Sequence, residues 1–254
     1  MSQKAGSTTE LLAVFFIYDS RQLGQKITEN DWIGLNMGNE LDLMRNYPKS
    51  MNRLKNRLNI TNLEREVSRR FDKEYFDGDR KYGYGGYQYD EKFWTTTVKD
   101  FATYYNLEPS ASILDIGCAK GYMLKDFRKL LPKSKIIGLD ISQYAIKNSD
   151  PEVRENLIYG NASSLPFPDK SFDLVISINT IHNLERRECV KSLTEIERVA
   201  KGNSFVMVDG WRNELEKEAL DTWVLTARTV LSADKWIELF QEAGYSGDYA
   251  FWTV

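Results

Sequence analysis

From residue 108 onward, short apolar runs alternate with longer stretches in which apolar positions recur every three or four residues. SILDI (112–116), KIIGLD (135–140), NLIYG (156–160), FDLVISI (172–178) and SFVMVDG (204–210) predict strands. Their apolarity is continuous rather than alternating, the pattern of strands covered on both faces. Between them, GYMLKDFRKLL (121–131), SQYAIKNS (142–149) and a segment with Val190, Leu193, Ile196 and Val199 on one stripe predict amphipathic helices. Such alternation predicts an α/β domain built on a doubly wound, mostly parallel sheet. The terminal WIELFQEAGYSGDYAFWTV predicts a helix ended by Gly244 and an aromatic strand, Tyr249–Val254, entering antiparallel at the sheet edge.

Before residue 108 the apolar positions are sparse and helix-like. TNLEREVSRRFDKEYF (61–76) places Thr61 and Glu64 in capping-box spacing and repeats Leu63, Val67, Phe71 and Tyr75 along one face. One helix is predicted, stopped by Asp77-Gly78. The decapeptide KYGYGGYQYD (81–90) then interleaves Tyr82, Tyr84, Tyr87 and Tyr89 with Gly83, Gly85 and Gly86. It is too polar for a core strand and too aromatic for an idle linker. The expected organisation is an N-terminal helical and lid extension over 1–107 and an α/β core over 108–254. Residues 1–60 give few further cues.

Composition narrows the function. The chain has 254 residues, 42% of them hydrophobic, enough for one large domain. A formal charge of −3 supplies no broad positive field, so nucleic acid is not the expected partner. LLAVFFIY (11–18) has eight apolar residues against about 20 for a membrane span, so neither membrane nor signal peptide is expected. Cys118 and Cys189 lie far apart, and His182 is the single histidine, which excludes a zinc site built from these residues alone. A cytoplasmic protein without a structural metal follows; the oligomeric state stays open, a homo-oligomer included.

The most informative segment is ILDIGCAKG (113–121). A buried strand ends in Asp115, Gly117 allows a tight turn, and Gly121 opens a helix whose first N–H groups face whatever the loop holds. The loop lacks the third glycine of a dinucleotide fingerprint and the Lys-Ser/Thr of a phosphate loop. Asp140 ends the next strand, where a carboxylate can accept hydrogen bonds from both hydroxyls of a ribose. A ribose without a pyrophosphate beside it points to a nucleoside-type cofactor.

Together, the D-x-G-x-x-x-G of 115–121, the acid in IIGLDIS (136–142) and GNASSLPFPDKSFDLVISINTIHNL (160–184) resemble the class I S-adenosylmethionine-dependent methyltransferases. The LPF-x-D-x-SFD segment resembles the small-molecule group in particular. The resemblance covers roughly 108–210, with a looser match to about 245. It implies a Rossmann-like methyltransferase fold and S-adenosylmethionine as cofactor. Asp115, Gly117, Cys118, Ala119 and Gly121 would surround the methionine part, Asp140 would hold the ribose, and Ile141 would pack on the adenine. Asn161 and Ala162 stand where the family commonly has an acid followed by an apolar or small residue, and the Asn carbonyl can still accept from the adenine amino group. Ala119 replaces a frequent glycine. Asn179, in the loop after the fourth strand, joins the cofactor set.

Methyl transfer from a sulfonium needs chiefly positioning and exclusion of water. An oxygen acceptor is helped by a base, and His182 is the candidate, since its ordinary pKa lies near neutrality; a substrate contact or a packed neutral histidine are the alternatives. Asn183 shares its loop. The Tyr/Gly decapeptide is the expected lid over cofactor, acceptor or both, an aromatic flap that only packs on the first helix being the alternative, with Arg80 and Lys81 beside it. Asp209, Trp211, Arg212, Trp223 and Arg228 form a second cluster suited to a phosphate or carboxylate on the acceptor or to a stacked sugar or base, with surface ion pairs and core tryptophans the alternative. As a group they point to a polar acceptor such as a sugar, sugar nucleotide or phosphorylated metabolite. The expected function is methylation of a small-molecule acceptor, most simply at oxygen. Nitrogen, carbon or protein methylation, and a non-catalytic cofactor-binding module, are the alternatives.

Overall fold

The structure, a computed structural model, describes residues 37–48, 57, 59–85 and 88–253. LLAVFFIY and Tyr87 lie outside the described residues. Along the chain come α1 (Asn62–Ser68), α2 (Lys73–Asp77) and α3 (Glu91–Tyr104), then β1 (Ser112–Ile116), α4 (Tyr122–Leu130) and β2 (Lys135–Asp140). They are followed by α5 (Gln143–Lys147), β3 (Leu157–Tyr159), β4 (Leu174–Ile178), α6 (Arg186–Val199) and β5 (Ser204–Trp211). The last elements are α7 (Glu214–Trp223), β6 (Leu231–Ser232), α8 (Ala233–Glu242) and β7 (Asp248–Trp252).

The strands form one sheet in the order β3-β2-β1-β4-β5-β6, with β7 also on β5, and every pairing is parallel. The continuous apolar runs are covered on both faces: Ile113, Leu114, Ile116, Leu174, Val175 and Ile176 are all fully buried. The predicted doubly wound α/β architecture is therefore the observed one. The last strand departs from expectation, since β7 lies parallel to β5, with Phe205 opposite Asp248 and Asp209 opposite Trp252. The cause is α8, which returns the chain across the sheet before β7 starts, and a helical crossover delivers a parallel neighbour. Residues 39–41 then bond to Tyr249, whose N–H donates to the Asn39 carbonyl at 3.0 Å while Leu41 N–H donates to its carbonyl at 2.8 Å.

The helix predicted over 61–76 is two helices. The capping box forms, with Glu64 N–H donating to Thr61 Oγ1 and Thr61 N–H to Glu64 Oε2 at 2.8 Å. Phe71, however, takes φ +50, and the Asp72 carboxylate accepts from Lys73 N–H to start α2. The Phe71 carbonyl, released from helical bonding, accepts from Ser142 Oγ at 2.5 Å. The predicted apolar face is thereby broken: Leu63 is 72% exposed, while Phe71, Tyr75 and Phe76 line the cleft at the carboxyl ends of the strands.

Residues on both sides of position 108 share a core. Val98 and Phe101 of α3 are buried with Ile113, Phe127, Phe205 and Met207, joined by Leu43 and Met44. The Phe101 and Phe205 rings meet edge to face at 5.0 Å, a geometry that adds to simple burial. Truncating Phe101 removes that contact from a fully packed site. Phe101→Ala is expected to cost about 3–5 kcal/mol, read as a lower urea midpoint at unchanged slope.

Candidate active site

The parallel arrangement brings the carboxyl ends of β1, β2, β4 and β5 to one edge of the sheet, and a cleft of about 960 Å³ opens there. Its loop is set by local geometry. Gly117 has φ +80, and a Cβ at this position would fall 2.0 Å from Thr180 Oγ1. Gly121, at φ +77, caps α4 and backs the loop from behind without lining the cleft. Gly117 and Cys118 both donate their N–H to the Leu139 carbonyl, at 2.7 and 3.2 Å, and Ala119 N–H donates to Asp140 Oδ2 at 2.8 Å. Ala119 holds φ +50, which glycine adopts more easily; the bond to Asp140 secures that turn.

Asp115 and Asp140 end neighbouring strands, Asp115 lying opposite Gly138 in the register. Asp140 accepts from Ala119 N–H and, at 2.7 Å, from Ser142 N–H, leaving further lone pairs toward the cleft. Asp115 is buried, lines the same cleft and accepts no hydrogen bond among the described residues. Burial, reinforced by the charge of Asp140, pushes its pKa up to about 7. Burial likewise raises Asp140, against the pull of its N–H donors.

Most predicted cofactor residues converge on this cleft: Asp115, Gly117, Cys118, Ala119, Asp140, Ile141, Asn161, Ala162 and Asn179 all line it. Ile141 leaves 48% of its surface exposed there. Asn179, at φ +51, donates its N–H to the Met207 carbonyl, binding the β4 exit to β5.

The other predicted contacts divide. Tyr84 lines the cleft; its hydroxyl accepts from Leu225 N–H at 2.7 Å and its ring packs against Trp223 at 5.1 Å. Burial, then the nearby Asp209 charge, pushes its pKa up to about 12, so it stays a phenol. Tyr89 points away from the cleft, donating to Asp126 on α4 and accepting from Lys129 Nζ. Tyr82 lies under Lys81 and also does not line the cleft. The decapeptide thus contributes Tyr84 and Gly85 to the cleft, because its remaining described tyrosines are engaged by neighbouring cations and carboxylates. Arg212 pairs with Glu40 and covers Phe251, outside the cleft. Arg228 lines the cleft, paired with Glu185 at 3.3 Å.

His182 sits in the 3-10 turn Ile181–Asn183, buried at the cleft wall. Its Nδ1 accepts from Asp209 N–H at 2.8 Å, so the neutral ring carries its proton on Nε2. Burial lowers its pKa, against the opposing pull of Asp209. A general base needs an open nitrogen lone pair, and in this arrangement His182 presents none to the cleft.

Sequence reasoning missed the cover. Lys120, its side chain 6% exposed, donates to Asp77 Oδ1 at 2.6 Å, and Tyr144 donates to Asp77 Oδ2 at 2.8 Å. Phe76 stacks on Tyr144. Asp77 on α2 is thus gripped by the glycine loop and by the segment following Asp140. A helix-terminal Asp-Gly reads only as a stop signal along the chain; its partners lie 43 and 67 residues away.

Residues 114–208 match the family described as "Methyltransferase domain". Among similar proteins, an Arabidopsis thaliana tRNA (carboxymethyluridine(34)-5-O)-methyltransferase is 39% identical over 134 residues, 51% of this chain and 30% of that protein. A demethylmenaquinone methyltransferase of Symbiobacterium thermophilum is 31% identical over 125 residues, 46% of this chain and 49% of that one. The solved structure of YcgJ from Bacillus subtilis aligns at 22% identity and a TM-score of 0.47, covering 56% of this chain and 65% of that one. The chain spans less than half the length of these two curated relatives. The likeness is to a methyltransferase domain over residues 114–208, and S-adenosylmethionine is the cofactor it implies.

The residues present fit that cofactor. The bare Gly117 backbone admits close approach, Asp140 retains lone pairs for hydroxyl groups, Ile141 offers an exposed apolar face, and Asp115 is an unpaired carboxylate suited to a cationic group. Asp115 also sets a pH dependence. Its folded pKa of about 7 lies above the ordinary 3.8, so its protonated form stabilises the cofactor-free fold at low pH. That contribution is lost as pH rises toward 7. Asp115→Asn is expected to flatten the fall in stability between about pH 4 and pH 7, measured by urea denaturation without cofactor.

Proposed function

We propose that this chain transfers the methyl group of S-adenosylmethionine to a small polar acceptor, most simply at an oxygen atom. The observation that carries the reading is the cleft, whose lining includes the Asp115–Asp140 corner together with Tyr84, Trp223, Asp209 and His182. When bound, the cofactor supplies a methyl group on a positively charged sulfur that leaves as a neutral thioether. The chain's own residues bind, orient and exclude water. Asp140 holds hydroxyl groups and Asp115 compensates positive charge. Asn161 lines the cleft, but its Oδ1 already accepts from Ser163 N–H at 3.0 Å and Ser163 Oγ at 3.1 Å, so the expected contact with an amino group is not open to it. Phe71, Tyr75, Phe76 and Tyr84 form the aromatic cover that keeps the reacting groups dry.

The relatives differ in their targets: tRNA in the Arabidopsis protein, demethylmenaquinone in the Symbiobacterium protein and a malonyl-acyl carrier protein in a Legionella pneumophila relative. A formal charge of −3 and a cleft lined by aromatic side chains support a small acceptor here over a nucleic-acid duplex. None of the described helices is long and apolar enough to cross a membrane.

Calorimetry with S-adenosylmethionine and S-adenosylhomocysteine tests the reading. Both are expected to bind at micromolar concentrations, and Asp140→Ala to weaken each by about tenfold or more, the loss of a charged hydrogen bond. Affinity should rise as pH climbs toward 7 and Asp115 ionises, by at most about tenfold per unit. Folded protein that binds neither compound overturns the proposal; binding without one-methyl mass gain across hydroxylated acceptors would favour a regulatory module.

A further inference from the structure

Among the described residues, four aspartates are buried: Asp115, Asp126, Asp140 and Asp209. Asp126 accepts from Tyr89 and Thr95, and Asp140 from two backbone N–H groups. Asp115 and Asp209 accept no hydrogen bond on their carboxylates among the described residues, and both line the cleft. Leaving a buried carboxylate without donors is expensive. Asp115 is matched to the cationic cofactor; Asp209 calls for another partner.

Asp209 is held by its backbone. Its N–H donates to His182 Nδ1 at 2.8 Å and its carbonyl accepts from Trp236 Nε1 at 2.8 Å. Its side chain is 4% exposed, and the Nε2 of the neutral His182 lies 3.8 Å from Oδ2, too far for a hydrogen bond. Two buried rings thus fix the residue while its carboxylate opens on the cleft. In the sheet, β4 separates β5 from β1. Asp209 therefore lies about 10 Å from the Asp115 strand, on the acceptor side of the cofactor corner.

We propose that Asp209 is the acceptor-binding carboxylate, with His182 as its positioning residue, and that the acceptor offers it an O–H or N–H group rather than a carboxylate. This rests on the methyl-transfer reading. Asp209 accepts the hydrogen bond of that group and then its proton. The acceptor's O–H or N–H bond breaks, an Oδ–H bond forms on Asp209, and the electron pair remains on the acceptor atom to become its bond to the methyl carbon. Solvent removes the proton from Asp209 afterwards. An acceptor carboxylate at this position would instead be repelled by Asp209.

The titratable groups that act on Asp209 or feel its charge are His182 on the turn after β4, Tyr75 on α2 and Tyr84 in the lid, while Arg228, paired with Glu185, lines the same cleft. Burial raises the Asp209 pKa, and His182 opposes that rise.

Because His182 is the single histidine of the chain, ¹⁵N-histidine NMR reports on this pair without ambiguity. Wild type and Asp209→Asn, each saturated with S-adenosylhomocysteine, are followed from pH 5 to 9, then titrated with ethanolamine and with acetate. Asp209→Ser gives the same comparison should Asp209→Asn not fold. The expected result is a neutral ring protonated on Nε2 throughout, with a pH inflection that loss of the carboxylate abolishes. Ethanolamine should bind at least tenfold tighter than acetate in wild type and less than twofold tighter in the variant. A His182 that becomes an imidazolium between pH 6 and 8, or equal or absent responses to the two probes in wild type, overturns the assignment. The probe titration is repeated without S-adenosylhomocysteine. Failure of cofactor binding, which counts against methyl transfer, is thereby read separately from failure of the Asp209 site.

Discussion

Parallel strands all end at the same edge of their sheet, and this constraint organises the molecule. Chemistry-bearing residues placed at the carboxyl end of any strand arrive together, however far apart they stand in the chain. Asp115 on β1, Asp140 on β2, Asn179 after β4 and Asp209 on β5 span 95 residues and line one cleft. The helical crossovers supply the covered faces that make continuous apolar strands stable. The cleft exists because those crossovers leave the edge uncovered where the chain reverses from β1–β2 to β4–β5.

Gathering acids at one edge has an electrostatic consequence. Burial raises the pKa of Asp115, Asp140 and Asp209, and the first two also lie close enough for Asp140 to act on Asp115. Asp140 is stabilised by backbone N–H groups of the loop it helps to shape, so it serves structure and binding together. Asp115 and Asp209 lack such donors and leave the cleft electrically incomplete. A cationic cofactor at one end and a hydrogen-bond donor at the other would complete it, which ties the order of the polar groups to the direction of the reaction.

The segment before β1 is integrated with this edge. Phe71 and Asp77 are fastened to Lys120 on the glycine loop and to Ser142 and Tyr144 at the start of α5, which together flank the cofactor corner. Cover and corner therefore share their hydrogen bonds, and a displacement of one is felt by the other. Tyr84 connects the same cover to the end of α7 through the Leu225 N–H and Trp223. The aromatic wall is thus anchored on both the cofactor and the acceptor sides.

Much of this was written locally in the chain. Continuous apolar runs with intervening amphipathic stretches determine strands, helices and a parallel sheet, because both faces of each strand must be buried. The loop from Asp115 to Gly121 was legible because glycine at left-handed φ and an acid at a strand end are local requirements. Tertiary structure decided the rest. Phe71 left the helix its spacing suggested, since Ser142 claims its carbonyl; β7 took a parallel register because α8 returns the chain across the sheet. Tyr82 and Tyr89 turned from the cleft toward cations outside it, and His182 accepted the Asp209 N–H. None of these follows from neighbours in sequence, because each depends on a partner brought near only when the sheet assembles.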